Sequence, residues 1–188
     1  DALIDQGKPY NITPQGLDAL DVARIEAGFL LNGVDYHSAP LCLHDSQTHT
    51  PYEAGLGWTV KLDREPFIGQ RALAAEKKAG SAWQFVGIEV DWEGLEALFA
   101  QFKLPPALSI SASRTPVPLF RGNQQVGYAS STVWSPLLKR YLGLATVQTK
   151  DAATGTKLGF EVLVEQWRKR TTATIVERPF FDPDRKRS

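Results

Sequence analysis

Apolar and polar positions divide the chain into two unlike stretches. Residues 1–7 read as the end of a helix closed by Gly7, and 8–12 as a short extended piece. Thr13 is placed as a helix N-cap with Pro14 at the first helical position, where its missing N–H costs nothing. Leu17, Leu20, Ala23 or Arg24, and Ala27 then give the three-and-four spacing of a one-sided apolar stripe, and Gly28 ends the helix. Residues 32–52 are polar and irregular, a long loop. Leu56, Trp58, Val60 and Leu62 alternate with Gly57, Thr59 and Lys61, which predicts a half-buried strand. A second helix is predicted over 70–78, closed by Gly80.

After Ser81 the pattern changes. A strand is predicted over 83–90. Asp91 then caps a helix in which Leu95, Leu98, Phe99 and Phe102 share one side, until Pro105-Pro106 stops it. Further strands are predicted over 117–121, 125–130, 141–148, 157–165 and 171–177, with a turn at Gly122-Asn123. Many short strands separated by turns predict a small barrel or sandwich. The boundary between the two stretches falls near Gly80, and no internal repeat is visible.

A chain of 188 residues holds one generous domain or two small ones. Twenty-one basic and 21 acidic residues cancel, so there is no global pull toward nucleic acid or an anionic membrane. No stretch approaches the roughly 18 apolar residues of a bilayer-spanning helix. The N-terminus lacks a signal-peptide pattern. The single cysteine, Cys42, excludes an intrachain disulfide and points to a reducing, cytoplasmic setting. With no methionine, and an opening that reads as the middle of an element, the chain is expected to be a fragment or a trimmed product.

His37, Cys42, His44 and His49 share the long loop, but their irregular spacing favours a polar surface loop over a metal site. The G-x-G of Gly55-Leu56-Gly57 lacks the third glycine of a dinucleotide site. Glu26 is more informative, because a carboxylate in the last turn of a helix sits at the negative end of the dipole. It is either solvated or kept as a fixed acceptor for two parallel N–H groups of a heterocycle. Arg168, Lys169, Arg170, Arg178, Arg185, Lys186 and Arg187 make a positive end. A solvated tail is the plain reading. A nucleic-acid footprint is disfavoured without interleaved aromatics, and a compact anion is the third alternative.

These motifs together resemble a family. The run from Pro14 through Gly16, Asp21, Arg24, Glu26, Ala27 and Gly28 is similar to the G-x-x-A-x-D-x-x-R-x-E-A-G segment of the glycine cleavage system T-protein (aminomethyltransferase) family. Further matches follow in the family's order: Gly33-Val34-Asp35, Pro51-Tyr52-Glu53-Ala54-Gly55-Leu56-Gly57-Trp58 and Phe67-Ile68-Gly69. They continue with Val126-Gly127-Tyr128, Trp134-Ser135-Pro136-Leu137, Leu144-Ala145, Gly155-Thr156 and the tail from Pro179 to Arg187.

The resemblance implies an α+β fold: the C-terminal portion of a tetrahydrofolate-binding α+β domain (1–80), followed by a small β-barrel with an inserted helix (81–188). It implies transfer of a one-carbon unit, aminomethyl or methyl, to tetrahydrofolate. The family's catalytic aspartate lies in an upstream half outside the matched stretch, so no catalytic residue and no metal ligand is nominated. Glu26 carries over as the pterin contact and Arg64 as the basic folate contact, with Lys61 its rival. Trp58 either packs on folate or faces inward as core, and Arg185 belongs near the ligand mouth. Gln70 stands where the family has a basic residue, the loop over 38–50 is longer, and 92–106 inserts a helix. These departures favour a different donor, such as a methylated amine or ether. The expected partners are the missing N-terminal half and a carrier protein or small methylated amine, without nucleic acid or membrane. A folate-fold binding or scaffold module without transferase activity is the competing reading.

Overall fold

The computed structural model describes residues 1–44, 47–107 and 111–184. Six strands form a closed antiparallel barrel: β1 (Trp83–Val90), β2 (Val117–Arg121), β3 (Gln124–Ser135), β4 (Arg140–Gln148), β5 (Lys157–Val164) and β6 (Trp167–Val176). Their order around the wall is β1-β4-β3-β2-β5-β6. Three helices precede the barrel, α1 (Ala2–Gly7), α2 (Leu17–Glu26) and α3 (Gln70–Ala79), and α4 (Trp92–Ala100) is inserted between β1 and β2. The fold is therefore α+β with a C-terminal barrel. Closure decides between barrel and sandwich: β6 pairs with β5 on one side and β1 on the other, so no strand edge is left open.

Alternation along the strands builds two apolar layers. Val86, Ile88 and Val90 of β1, Ala145 and Val147 of β4, and Leu158, Phe160, Val162 and Val164 of β5 form the main core. Leu95 and Phe99 of α4 join it, so the inserted helix completes the barrel core. On the opposite face Phe85, Val133, Leu142 and Leu144 make a second cluster around Ile25 of α2. That cluster fixes the helix to the outside of β3 and β4.

Several expectations are corrected. α2 begins at Leu17 with Gly16 as its N-cap, because the Thr13 hydroxyl donates to the Asn11 carbonyl and 13–15 stay outside the helix. Gly7 is right-handed and the chain continues into a short 3-10 turn, Lys8–Tyr10, ended by left-handed Asn11 at φ 56°. Gly7 is needed for a different reason, since a Cβ there would collide with the Ile12 side chain. The stripe of α2 faces outward: Leu17 is 82% exposed and Leu20 53%, while Asp21, Ile25 and Glu26 are buried.

The strand predicted from Leu56 to Leu62 is a series of turns with a 3-10 turn at Gly57–Thr59. Among the described residues no strand pairs with it, and its amides bond locally, Thr59 N–H to Leu56 and Val60 N–H to Gly57. β3 and β6 run further than expected. Consequently Arg168, Lys169 and Arg170 belong to β6 rather than to a solvated tail. Arg168 pairs with Glu161 at 2.8 Å, Lys169 lies over the Phe102 ring, and Arg170 stacks on Phe120 at 3.6 Å while donating to the Gly122 carbonyl.

Candidate functional site

The C-terminal half of α2 lies on the barrel wall, and beside Ile25 it buries polar side chains. Arg24 donates from Nε to Asp21 at 2.7 Å, from one terminal nitrogen to Asp35 at 2.6 Å, and from the other to the Ser131 hydroxyl at 2.8 Å. Asp35 is 1% exposed and also accepts from Ser130 Oγ, Ser131 Oγ and the Leu31 amide. Consecutive strand residues ordinarily point to opposite faces. A register shift in β3 between Ala129 and Ser131 lets both serines reach one carboxylate. Four donors on Asp35 satisfy the condition under which a buried charge is tolerated.

Asp21 stands between two arginines, Arg24 and Arg114, the latter at 2.9 Å. Burial pushes its carboxyl up, but hydrogen bonds from Arg24 and Arg114 outweigh that and hold it below the ordinary carboxylate value.

Glu26, one turn further, is 8% exposed, which overturns the solvated alternative for it. The Ser135 hydroxyl donates to its Oε1 at 2.5 Å and itself accepts from the Leu138 amide at 2.9 Å. Oε2 has no partner among the described residues. The backbone carbonyl of Glu26 accepts from Phe181, which brings the tail motif against the helix end. An acceptor-only group, oriented by Ser135 and with one oxygen in reserve, fits a ligand that offers N–H groups.

Trp58 is 76% exposed, so its inward-core alternative is also overturned. It lines a cavity of about 480 Å³ together with Gly28, Phe29, Gly55, Gln84 and Arg178. The plain reading of Arg178 as part of a solvated tail does not hold. Arg178 instead donates to the carbonyls of Gly28 at 3.3 Å and Phe85 at 3.0 Å, with its guanidinium over the Phe85 ring. Burial lowers its affinity for the proton, and the charge of Asp35 works the other way. A Cβ at Gly55 would lie 2.8 Å from this guanidinium, so the glycine is what admits it.

Arg64 lies elsewhere. It shares a smaller recess of about 280 Å³ with Lys61 and Phe67, and the fold does not choose between the two cations. Gln70 donates to the carbonyls of Leu62 and Arg64. Arg185 lies outside the described residues. Thus Trp58 lines the recess beyond the end of α2, Glu26 is held by Ser135 of β3 and is not part of that lining, and Arg64 joins neither. Among the described residues no group of three or more His, Cys, Asp or Glu side chains gathers to hold a metal ion. No helix among them is long and apolar enough to cross a membrane.

Asp35, Ser130, Ser131 and Arg178 were not singled out as a group from sequence. The only local signal was two adjacent serines in an apolar strand, which is weak.

Residues 1–64 match the GCVT N-terminal domain, and residues 99–182 match the glycine cleavage T-protein C-terminal barrel domain. The chain is 31% identical over 179 residues to an aminomethyltransferase of Halalkalibacterium halodurans and 34% identical over 182 residues to one of Geobacillus thermodenitrificans. These matches cover 95% and 96% of the chain but only 41% and 42% of the relatives, so the chain spans less than half of their length. The crystal structure of glycine cleavage system aminomethyltransferase T from Bartonella henselae superposes with a TM-score of 0.71 at 21% identity, over 96% of this chain and 43% of that one. It shares the fold.

Proposed function

Because the chain belongs to the glycine cleavage T-protein family, we propose that it is the C-terminal part of a tetrahydrofolate-dependent one-carbon (aminomethyl or methyl) transferase. In this reading residues 1–80 complete a folate-binding domain and 81–188 are its barrel. The observation that carries the proposal is the buried carboxylate of Glu26, held by Ser135 at the unfavourable end of its own helix. A bound pterin would offer its 2-amino and N3–H groups to that carboxylate. When bound, tetrahydrofolate supplies the nitrogen that takes up the one-carbon unit.

The residues of this chain bind and orient. Ser135 fixes the rotation of the Glu26 carboxylate, Trp58 gives a flat exposed wall, and Arg64 and Arg185 supply positive charge for the acidic end of a folate. Their contribution is positioning. The catalytic aspartate belongs to the upstream half. Exposed apolar side chains support that division: Leu17, Leu20, Leu3, Tyr10 and Phe29 are all more than half exposed. The long 38–50 loop and Gln70 support a donor other than a lipoyl-bound aminomethyl group, such as a small methylated amine, with or without a carrier protein.

The competing reading, a binding or scaffold module without transfer activity, shares the ligand site but needs no upstream aspartate. The test is a fluorescence titration of the protein carrying its upstream half with a reduced folate. Glu26→Ala is expected to weaken binding by about 1–3 kcal/mol, the cost of leaving buried donors unpartnered. Equal affinities for the variant and the parent would remove Glu26 from the site. Folate binding without any detectable one-carbon transfer would favour the scaffold.

A further inference from the structure

A second and larger cavity, about 720 Å³, lies between the histidine-bearing loop and the outer wall of the barrel. Strand register explains its floor. Tyr128 of β3 and Phe85 of β1 both lie directly opposite Thr146 of β4, and Trp83 stands two residues before Phe85. Residues directly opposite in antiparallel strands share a face, so Trp83, Thr146 and Tyr128 emerge together on the outside. Pro116 and Pro118 extend the apolar wall, and His37 and His49 close it from the loop side.

Among the described residues one formally charged side chain lines this space, Glu53, and no lysine or arginine does. Glu53 is immobilised by reciprocal bonds with Thr50. The Thr50 amide donates to Glu53 Oε2 at 3.1 Å, and the Glu53 amide donates to the Thr50 hydroxyl at 3.1 Å. That hydroxyl donates in turn to Glu76 of α3, and the Glu53 carbonyl accepts from Phe85 of β1. The residue is therefore tied to the barrel by its backbone and, through Thr50, to a helix, and among the described residues only one of its carboxylate oxygens is used. The Tyr128 hydroxyl lies 3.4 Å from His49 Nε2, and burial pushes its phenol up against the opposing hydrogen bond with Thr146, with the charges of Asp35 and Glu53 adding to the rise.

We propose that this cavity binds a small organic cation, an alkylammonium ion whose charge faces Glu53 and whose methyl or alkyl groups lie against Trp83 and Tyr128. A fixed carboxylate beside aromatic and proline surfaces attracts such an ion through Coulomb and cation–π terms together. An anion of the same size would meet Glu53 with no cation to offset it. A neutral molecule would gain only the apolar contact. The site stands on these residues alone and does not depend on folate binding near Glu26.

Titration calorimetry of the protein with butyltrimethylammonium, butanol and butyrate tests it. The cation is expected to bind at millimolar concentrations or below, and the other two not to bind in that range. Glu53→Gln keeps the bond from Thr50 while removing the charge, and is expected to weaken cation binding by about tenfold or more. Trp83→Leu, on a partly exposed residue, is expected to weaken it as well with the fold intact by circular dichroism. Glu89→Gln, at a carboxylate paired with Arg140 away from this cavity, is expected to leave binding unchanged. Absence of cation binding, equal binding of butyrate, or full retention of affinity in both Glu53→Gln and Trp83→Leu would overturn the proposal.

Discussion

Replacing Asp35 by Asn removes the charge that faces Arg24 at 2.6 Å, and Arg24 is only 10% exposed at its side chain. Breaking a buried ion pair from one side costs about 3–5 kcal/mol where the remaining charge is left uncompensated. Asp21 still pairs with Arg24 at 2.7 Å in this variant, so urea denaturation is expected to show a smaller loss, about 1–3 kcal/mol. Arg114→Ala acts differently, since Arg114 is about half exposed and its pairing with Asp21 is screened. The expected deficit at neutral pH is below about 1 kcal/mol. Its pH dependence follows from the depressed carboxyl of Asp21. A group held below its unfolded value of 3.8 contributes stability above that value, and loses it as the pH falls through the folded one. The gap between parent and variant is therefore expected to narrow in acid unfolding below 3.8. At this scale the sequence shows which residues are unusual more readily than why. Glu26 stood out by its position in the last turn of a helix. Asp35 did not, because its partners Ser130 and Ser131 lie 95 and 96 residues away.

An element is legible when its own residues determine it, and α2 shows both sides of that condition. Its existence followed from periodicity, and its end from Gly28 at φ 70°. Its orientation did not follow. The leucines point away from the barrel, and Ile25 is the one large apolar side chain of the helix that is fully buried. Leu20→Ser is expected to change the stability of this chain by less than about 0.5 kcal/mol, as at an ordinary exposed site. Ile25→Ala is expected to cost about 2–5 kcal/mol, from lost transfer energy and a cavity against Phe85 and Leu144. Equal effects in thermal unfolding would mean that the helix packs by its leucine side. The turns over residues 56–62 teach the complementary point. Alternation predicts a strand only where another strand is present to take up its hydrogen bonds, and Gly55 at φ 72° turns the chain away from any neighbour.

Across the whole molecule, the barrel depends on contacts between distant segments. β1 closes it by pairing with β4 and β6, and α4 fills the interior with Leu95 and Phe99. Phe99→Ala is expected to destabilise the protein by about 3–5 kcal/mol, measured by chemical denaturation. A change no larger than that of a surface substitution would mean that the inserted helix is peripheral to the core. Gly127 shows how tightly the wall is built. A Cβ there would lie 2.8 Å from the Val147 backbone and collide with the Thr146 carbonyl, so Gly127→Ala is expected to spread β3 from β4.

The sequence by itself determined the helices, most of the strands, the change of character near Gly80 and the family. All of these rest on local periodicity, turn chemistry and ordered motifs, which a chain carries wherever it folds. Only the tertiary structure decided which side of α2 is buried, the register by which the strands close the barrel, and that Glu26 meets Ser135 while Asp35 gathers two serines and an arginine. Those outcomes depend on strand register and on a bulge that brings residues far apart in the chain to within hydrogen-bond distance. Such distances are set by the packed molecule as a whole, and no single segment encodes them.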